Sequence, residues 1–398
     1  TGGGNLTSEE TIARGQWGVT QDNQGRIYYN TNSDPLRVDI IPSEYLARNP
    51  HLANPAGVNV QMFPSNLRIW PGRVTPGVNR GYQILDDELK IRSMTAASAP
   101  TIYRDTLFPA DFMGNGFVPE PSANLIKRII LEEENGTLKG RNAYEGTEFL
   151  TSTDERFRPV FLTNGPDGAL YVVDLYRGIL QHRIFLTTFL RSQVEARGLD
   201  KGIGLGRIYR IVPDNAPPAT RDFDLSNESS VRLVERLTEA DSWWRDTAQR
   251  ILVERRDSVS VAPLRTLARS PAAAPVARLH ALWTLKGIDE LDRDTVLAAM
   301  DGKDVPLTAA AIRLSEPWLA RPDDNEVFQR VITVMNDDNG VTPPGIVLQR
   351  ALSLGEARSP AAFDLLMDMA GRHDSQPFVP EAVVSGLAGH SWRRGSVR

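Results

Sequence analysis

The segment from Asp154 to Arg183 concentrates the side chains most able to do chemistry. It reads Asp154-Glu155-Arg156-Phe157-Arg158-Pro159-Val160, then a Gly165-Pro166-Asp167-Gly168 turn, then Asp174-Leu175-Tyr176-Arg177-Gly178-Ile179-Leu180-Gln181-His182-Arg183. Arg156, Arg158, Arg177 and Arg183 could grip carboxylates as two-pronged forks. Asp174, Tyr176 and His182 add an acceptor, a donor and acid–base capacity, which makes Asp174 and His182 the catalytic candidates. The competing reading is that these charges pair with one another and fix the chain locally, and spacing alone favours that slightly. A second cluster, Asn30-Thr31-Asn32-Ser33-Asp34, is rich in oxygen. Asn30, Asn32 and Asp34 could hold a hard cation such as calcium. Such sequences are more often ordinary turns and caps.

Other motifs exclude more than they suggest. Gly202-Ile203-Gly204-Leu205-Gly206 lies after a helical pattern and before a strand pattern, the reverse of a dinucleotide-binding loop. His51, His182, His280, His373 and His390 have no metal-ligand spacing, and His280 reads as a packed helix residue. The 398 residues include no cysteine, which removes disulfides, zinc ribbons, thiol nucleophiles and covalent haem from this chain. Glu132-Glu133-Glu134 reads as a solvated hairpin rim, and Trp243-Trp244 as a core pair rather than a sugar platform. Net charge is −5, with 23 basic and 24 acidic residues in 1–215 and 22 and 26 in 216–398. Neither part is basic, so a nucleic-acid partner is not expected. No apolar run is long enough to span a bilayer. The chain starts Thr1-Gly2-Gly3-Gly4 and reads as a mature or partial segment of a longer product.

The elements that must position these residues change character near residue 215. All nine Tyr and 22 of 31 Gly precede it, whereas Ala rises from 12 before to 24 after. Tyr and Gly suit strands and tight turns, and Ala suits helices. Turns at Gly25, Gly116 and Gly168, each beside a β-rich run, repeat at intervals suggesting propeller blades. Residues 1–212 therefore read as a β-propeller portion, with a long insertion at about 37–80 and a helix at about 180–197. Residues 213–225, rich in proline, read as a linker. From 226 to 398, Trp244–Leu252, Ala277–Leu285, Leu307–Leu314 and Val347–Leu354 recur as second helices of pairs, a HEAT-like pattern. The fold class is multidomain, β then α: a partial β-propeller followed by a HEAT-like α-solenoid.

Several stretches resemble one family. They are Phe157-Arg158-Pro159-Val160, Asn164 through Gly178, Gln181-His182-Arg183, Arg197-Gly198-Leu199-Asp200-Lys201 and Gly204-Leu205-Gly206-Arg207-Ile208-Tyr209-Arg210, with Thr75–Tyr82 and Trp243–Arg250. Over roughly residues 10–320 the chain is similar to membrane-bound dehydrogenase-domain proteins of planctomycetes and related bacteria. The resemblance implies a propeller related to sugar dehydrogenases that use pyrroloquinoline quinone (PQQ) with calcium, a HEAT-like region, and often a c-type cytochrome domain. It implies a periplasmic or exported protein, oxidation of a sugar or alcohol, and electron transfer to a cytochrome or another protein of the envelope or membrane complex. Arg158, then Arg156, match an arginine that contacts the quinone, and Arg177 and Tyr176 lie beside them. The chain departs from the family in three ways. It has no Cys-x-x-Cys-His, it lacks cysteines that relatives carry near Ser98 and Pro119, and it shows about three or four blades where closed propellers have about four to eight. The early-blade histidine base has no counterpart, and His182 does not match its context. Loss of these parts favours a second reading, a non-catalytic propeller and HEAT docking subunit. A third is a calcium lyase or lactonase built on Asn30, Asn32 and Asp34.

Overall fold

A computed structural model describes residues 15–52, 54–63, 67–74, 84–218, 223–321, 324–336 and 341–388. Its strands form three antiparallel sheets in chain order. The first joins β1 (Val19–Gln21), β2 (Ile27–Tyr29), β3 (Arg37–Asp39) and β4 (Val60–Gln61). The second joins β5 (Thr101–Ile102), β6 (Gly116–Glu120), β7 (Leu125–Glu134) and β8 (Thr137–Asn142), with β9 (Leu150–Thr151) on the start of β7. The third joins β10 (Pro159–Asn164), β11 (Leu170–Asp174) and β12 (Arg207–Ile211). Each is a meander of neighbouring strands. The β7–β8 turn is Asn135-Gly136, both at positive φ, as a tight hairpin requires.

The sheets pack face to face. On the second sheet, Val118, Leu125 and Ile129 join Tyr28 and Val38 of the first sheet in one apolar cluster. Phe117 and Ile126, pointing the other way, join Leu162, Leu170 and Val172 of the third. Alternation thus gives the middle sheet two buried faces. The leading strands lie side by side. Ala99 bridges Phe161 in parallel, the Ile102 amide donates to Thr20 Oγ1 at 3.3 Å, and Asn164 Nδ2 donates to the Ile102 carbonyl at 2.9 Å. Gly18 permits this approach, because a Cβ there would lie 2.5 Å from Ala99 Cβ. The Ser98 amide donates to the Pro119 carbonyl at 2.8 Å. Among the described residues the sheets close into neither a barrel nor a ring.

The region 37–80, expected as an insertion, supplies β3, α1 (Ser43–Ala47) and β4 among its described residues. The helix expected from about residue 180 starts later, as α2 (Thr188–Arg197). Before it, His182 caps a short 3₁₀ turn at Arg183–Phe185. Thr187 Oγ1 then accepts from the Leu190 amide at 3.2 Å and restarts the chain as an α-helix, which ends at Gly198 with φ +59.

Eleven of the thirteen described helices follow the strands: α3 (Ser230–Arg236), α4 (Ser242–Arg255), α5 (Val261–Arg269), α6 (Pro275–Gly287), α7 (Arg293–Met300), α8 (Val305–Leu314), α9 (Glu316–Leu319), α10 (Asn325–Thr333), α11 (Pro344–Leu354), α12 (Pro360–Arg372) and α13 (Val379–Leu387). In one row α4, α6, α8, α11 and α13 touch in succession; α3, α5, α7 and α10 form the other. Ala248, Ala281, Ala311, Ala351 and Ala382, one in each helix of the first row, are fully buried. A methyl side chain at that point lets neighbouring helices approach closely. The β-then-α order agrees with the sequence reading. The two parts share a core, because Ile41, Tyr45 and Leu46 from the α1 region join the helical cluster.

Candidate functional site

The residues expected to clamp a cofactor lie where β10, β11 and the approach to α2 meet. Arg158 is buried, and its guanidinium is spent on main-chain carbonyls. Nε donates to Arg177 O at 2.8 Å, Nη1 to Pro121 O at 2.5 Å and Nη2 to Gly178 O at 2.8 Å. Burial lowers its pKa to about 10. Asp174 is also buried. Its Oδ1 accepts from the amides of Arg158 at 2.7 Å and Tyr176 at 2.8 Å. This grip holds Tyr176 at φ +48, a conformation that costs a non-glycine residue energy unless its surroundings enforce it.

The neighbours are similarly committed. Arg156 Nη2 donates to Gly198 O at 3.0 Å. Tyr176 Oη donates to Asp154 Oδ2 at 2.8 Å, which raises the phenol's pKa, and the Arg207 guanidinium lies 3.7 Å from its ring centroid. Arg177, half-buried, and Arg183, exposed, have no side-chain hydrogen bond or ion pair among the described residues. His182 is exposed; its Nδ1 accepts from the Ile184 amide at 3.4 Å, and no hydrogen bond links it to Asp174. The structure places most of these residues at one junction. Arg158 acts there as a structural staple, a role the sequence did not reveal. The reason is that main-chain acceptors two strands away leave no signature in the sequence. Sequence reading also missed Arg73 and Arg197, which converge on Glu155 Oε1 beside this junction.

The oxygen-rich turn does not converge. Asn30 Nδ2 donates to Ser98 O at 2.5 Å. Asn32 Oδ1 accepts from Trp17 Nε1 at 2.6 Å. Asp34 Oδ2 lies 2.5 Å from Arg37 Nε, and burial raises the pKa of Asp34 despite that cation. Asn30 Oδ1 is buried without a hydrogen-bond partner among the described residues, while the Arg37 guanidinium stands against the Asp34 carboxylate. Arg158 and Arg156 are already committed to main-chain carbonyls, and no chemistry is routed through PQQ or calcium. Among the described residues, no group of three or more His, Cys, Asp or Glu side chains could hold a metal.

Two clefts lie elsewhere. One of about 540 Å³ is lined by Arg68, Trp70, Asp86, Asp87, Lys90 and Thr147, among others. Behind Trp70, Lys127 Nζ lies 4.9 Å from its ring centroid and 3.0 Å from Glu148 Oε1 in a buried ion pair. Burial lowers the pKa of Lys127 and raises that of Glu148. The other cleft, about 230 Å³, borders Asp22, Arg26, Tyr28 and Glu133. Glu133 of the acidic hairpin borders the second cleft, and none of the residues proposed for catalysis, cofactor or metal lines either.

The densest polar network is the seam between strands and helices. Arg104 donates to both oxygens of Asp246 at 2.7 and 3.1 Å. Asn23 Oδ1 accepts from Arg104 Nε at 2.9 Å and Arg245 Nη2 at 3.0 Å. Asp105 Oδ1 accepts from the amide and hydroxyl of Ser242 at 2.5 and 2.7 Å, at the start of α4. Trp244 Nε1 donates to Pro166 O at 2.8 Å, tying α4 to the Gly165–Gly168 turn. At the other end, Tyr45 Oη donates to Glu316 Oε1 at 2.5 Å, and Arg48 Nη1 reaches Leu352 O at 3.0 Å and Glu356 at 2.7 Å.

No curated protein matches this chain. A family model described as Domain of unknown function (DUF7133) matches residues 2–215, the strand-rich part that carries the junction and one side of the seam. The chain belongs to the DUF7133 family.

Proposed function

We propose that this chain is a non-catalytic docking component of a larger cell-envelope assembly. In this reading the three meanders are blades of an incomplete propeller, and the helical rows are a HEAT-like stack. The seam carries the reading. Bonds at both its ends, through Arg104–Asp246 and through Arg48 and Tyr45, fix an arc of sheets against a solenoid in one orientation. That rigidity suits a platform presenting two surfaces to partners, and solenoids offer extended faces for such contacts. The setting we propose is periplasmic or exported, and the partner a c-type cytochrome or another envelope protein, in keeping with the family resemblance. The dehydrogenase reading requires guanidinium forks free to grip a quinone carboxylate, and Arg158 has already spent its own on carbonyls.

The test is a titration of the purified chain with PQQ and calcium chloride, followed by dye reduction across a panel of aldoses and alcohols. The expected result is no saturable quinone uptake and no turnover. Quinone-dependent turnover that is lost in Arg158→Lys would overturn the docking reading in favour of the enzyme.

A further inference from the structure

The third sheet has one covered face and one open face. Strand register places Phe161 opposite Val173, and Val173 opposite Ile208, so the three side chains form one row on the open side. Phe161 is 46% exposed and Ile208 68%. Leu175, just past the end of β11, is 44% exposed and Leu205, just before β12, 48%. The other face, with Leu162, Leu170 and Val172, is buried against the second sheet. An uncovered row of large apolar side chains across a sheet marks an interaction surface when the opposite face already supplies the core.

The next row bears on the kind of partner. Tyr171 and Arg210 face each other across the strands, and both engage Asp167 Oδ2, at 3.3 and 2.5 Å. The rim charge is thus neutralised internally, so the face asks for an apolar partner, not for a phosphate, a nucleic acid or an acidic peptide. The first and second sheets, and the second and third, already meet by apolar face-to-face packing, and the open row continues that stack by one layer. Head-to-tail stacking with a second copy fits poorly. The corresponding outer row of the first sheet carries Arg37 beside Tyr29, with Asp39 beside Ile27 in the next row, which would bury charge against Phe161 and Ile208.

We propose that the Phe161–Val173–Ile208 face docks an antiparallel β-sheet of a partner, presenting aliphatic and β-branched side chains and packing as the next layer of the stack. This rests on the docking reading above and names the chemistry of one partner.

The experiment places the photo-crosslinker p-benzoylphenylalanine at 161 or at 208 in the full chain expressed in its native host, with position 250 on α4 as a control. Cross-linked peptides are identified by mass spectrometry. The expected result is that 161 and 208 react with one partner at same-face residues of nearby strands in one sheet, whereas 250 does not. Ile208→Glu in the 161 cross-linker chain should abolish that product while circular dichroism and Tm stay unchanged. Cross-links only to a second copy, to helical or scattered sites, to lipid, or none at all would overturn the proposal. These results separate from the previous test: quinone turnover sinks the docking reading whatever the cross-links, and scattered cross-links without turnover sink only this proposal.

Discussion

The sheets and the helices of this protein are held together by different physics. The sheet region buries Arg104, Asp105, Glu120, Lys127, Arg128, Glu148, Arg158 and Asp174, with Asp34 and Asp22 close behind. The helical stack buries Arg245, Arg278 and His280, and otherwise apolar side chains, mostly Leu, Val, Ile and Ala, with a few small hydroxyls. Short strands of two or three residues make few ladder bonds, so buried polar staples must fix their loops. Glu120 shows the pattern: its carboxylate collects the amides of Thr95 at 3.0 Å, Ala96 at 2.9 Å and Ser122 at 3.1 Å. Long helices satisfy their own backbone, so the stack needs only an apolar stripe and small residues at the crossings. The arc should therefore be sensitive to loss of single polar groups and to pH, and the stack to changes of volume.

The largest expected effect is at Arg158. Truncation to Ala strands the carbonyls of Pro121, Arg177 and Gly178, at about 1–3 kcal/mol for each buried acceptor left unpaired, or about 3–5 kcal/mol after partial hydration. Urea unfolding of Arg158→Ala and Arg158→Lys checks this, with Lys recovering only part of the loss. Equal stability of wild type and Arg158→Ala would show that the arc is not stapled this way. In the stack the matching change is one of size. Ala311→Leu adds bulk at a fully buried crossing between α8 and its neighbours and should cost about 1–3 kcal/mol. Ala→Leu at an exposed helical position should cost nothing comparable, and a tolerant Ala311 would mean the rows are loosely packed.

How much of this was legible in the sequence follows the same division. The crossing alanines Ala248, Ala281, Ala311 and Ala351 all fall within the repeats read from periodicity, because helix packing is a local pattern repeated along the chain. The Gly165–Gly168 turn was legible for the same reason, with Gly168 at φ +75 as its position demands. Strands of two residues, such as β4 and β5, carry no period to read. The stapling role of Arg158 was not legible because its partners are carbonyls of Pro121, Arg177 and Gly178, which any residue type supplies. The seam was also hidden, since Arg104 and Asp246 meet only after both halves have folded. The open face was readable in part: Phe161 and Val173 alternate with core residues Leu162 and Val172, whereas β12 is exposed from Arg207 to Arg210.

The pH response should separate the two regions by sign. Burial raises the pKa of Asp105 to about 6 and of Glu120 to about 7. A folded-state pKa above the unfolded value means that the native protein takes up the proton first, so these groups add stability as pH falls from about 7.5 towards 5. Burial instead lowers the pKa of His280 to about 4. There the unfolded chain takes up the proton first, and stability is lost as pH falls below about 6.5. Asp105→Asn keeps the acceptor for Ser242 and removes the charge, so it should raise stability at pH 8 by about 1–2 kcal/mol and have little effect at pH 4.5. Thermal melts of wild type, Asp105→Asn and Glu120→Gln across that range check the sign. A benefit of Asp105→Asn that grows as the pH drops would contradict it.

The smallest expected effect is at Ile208, and its smallness is what makes it informative. A buried position on a sheet punishes a charge by several kcal/mol, whereas an exposed one tolerates substitution within about 0.5 kcal/mol. Ile208 is 68% exposed, but its row-mate Val173 is half-buried between it and Phe161. Ile208→Glu should thus leave Tm within about 2 °C of wild type by the usual stability-to-Tm scaling, while Leu170→Glu, on the covered face of the same sheet, should unfold the arc. Differential scanning calorimetry of the pair makes the comparison within a single sheet. If Ile208→Glu proves as damaging as Leu170→Glu, the open side is packed in the isolated chain, and the third sheet resembles the second. If the two diverge as expected, Ile208 contributes little to the chain's own stability, and the open row is free to serve contact with a partner.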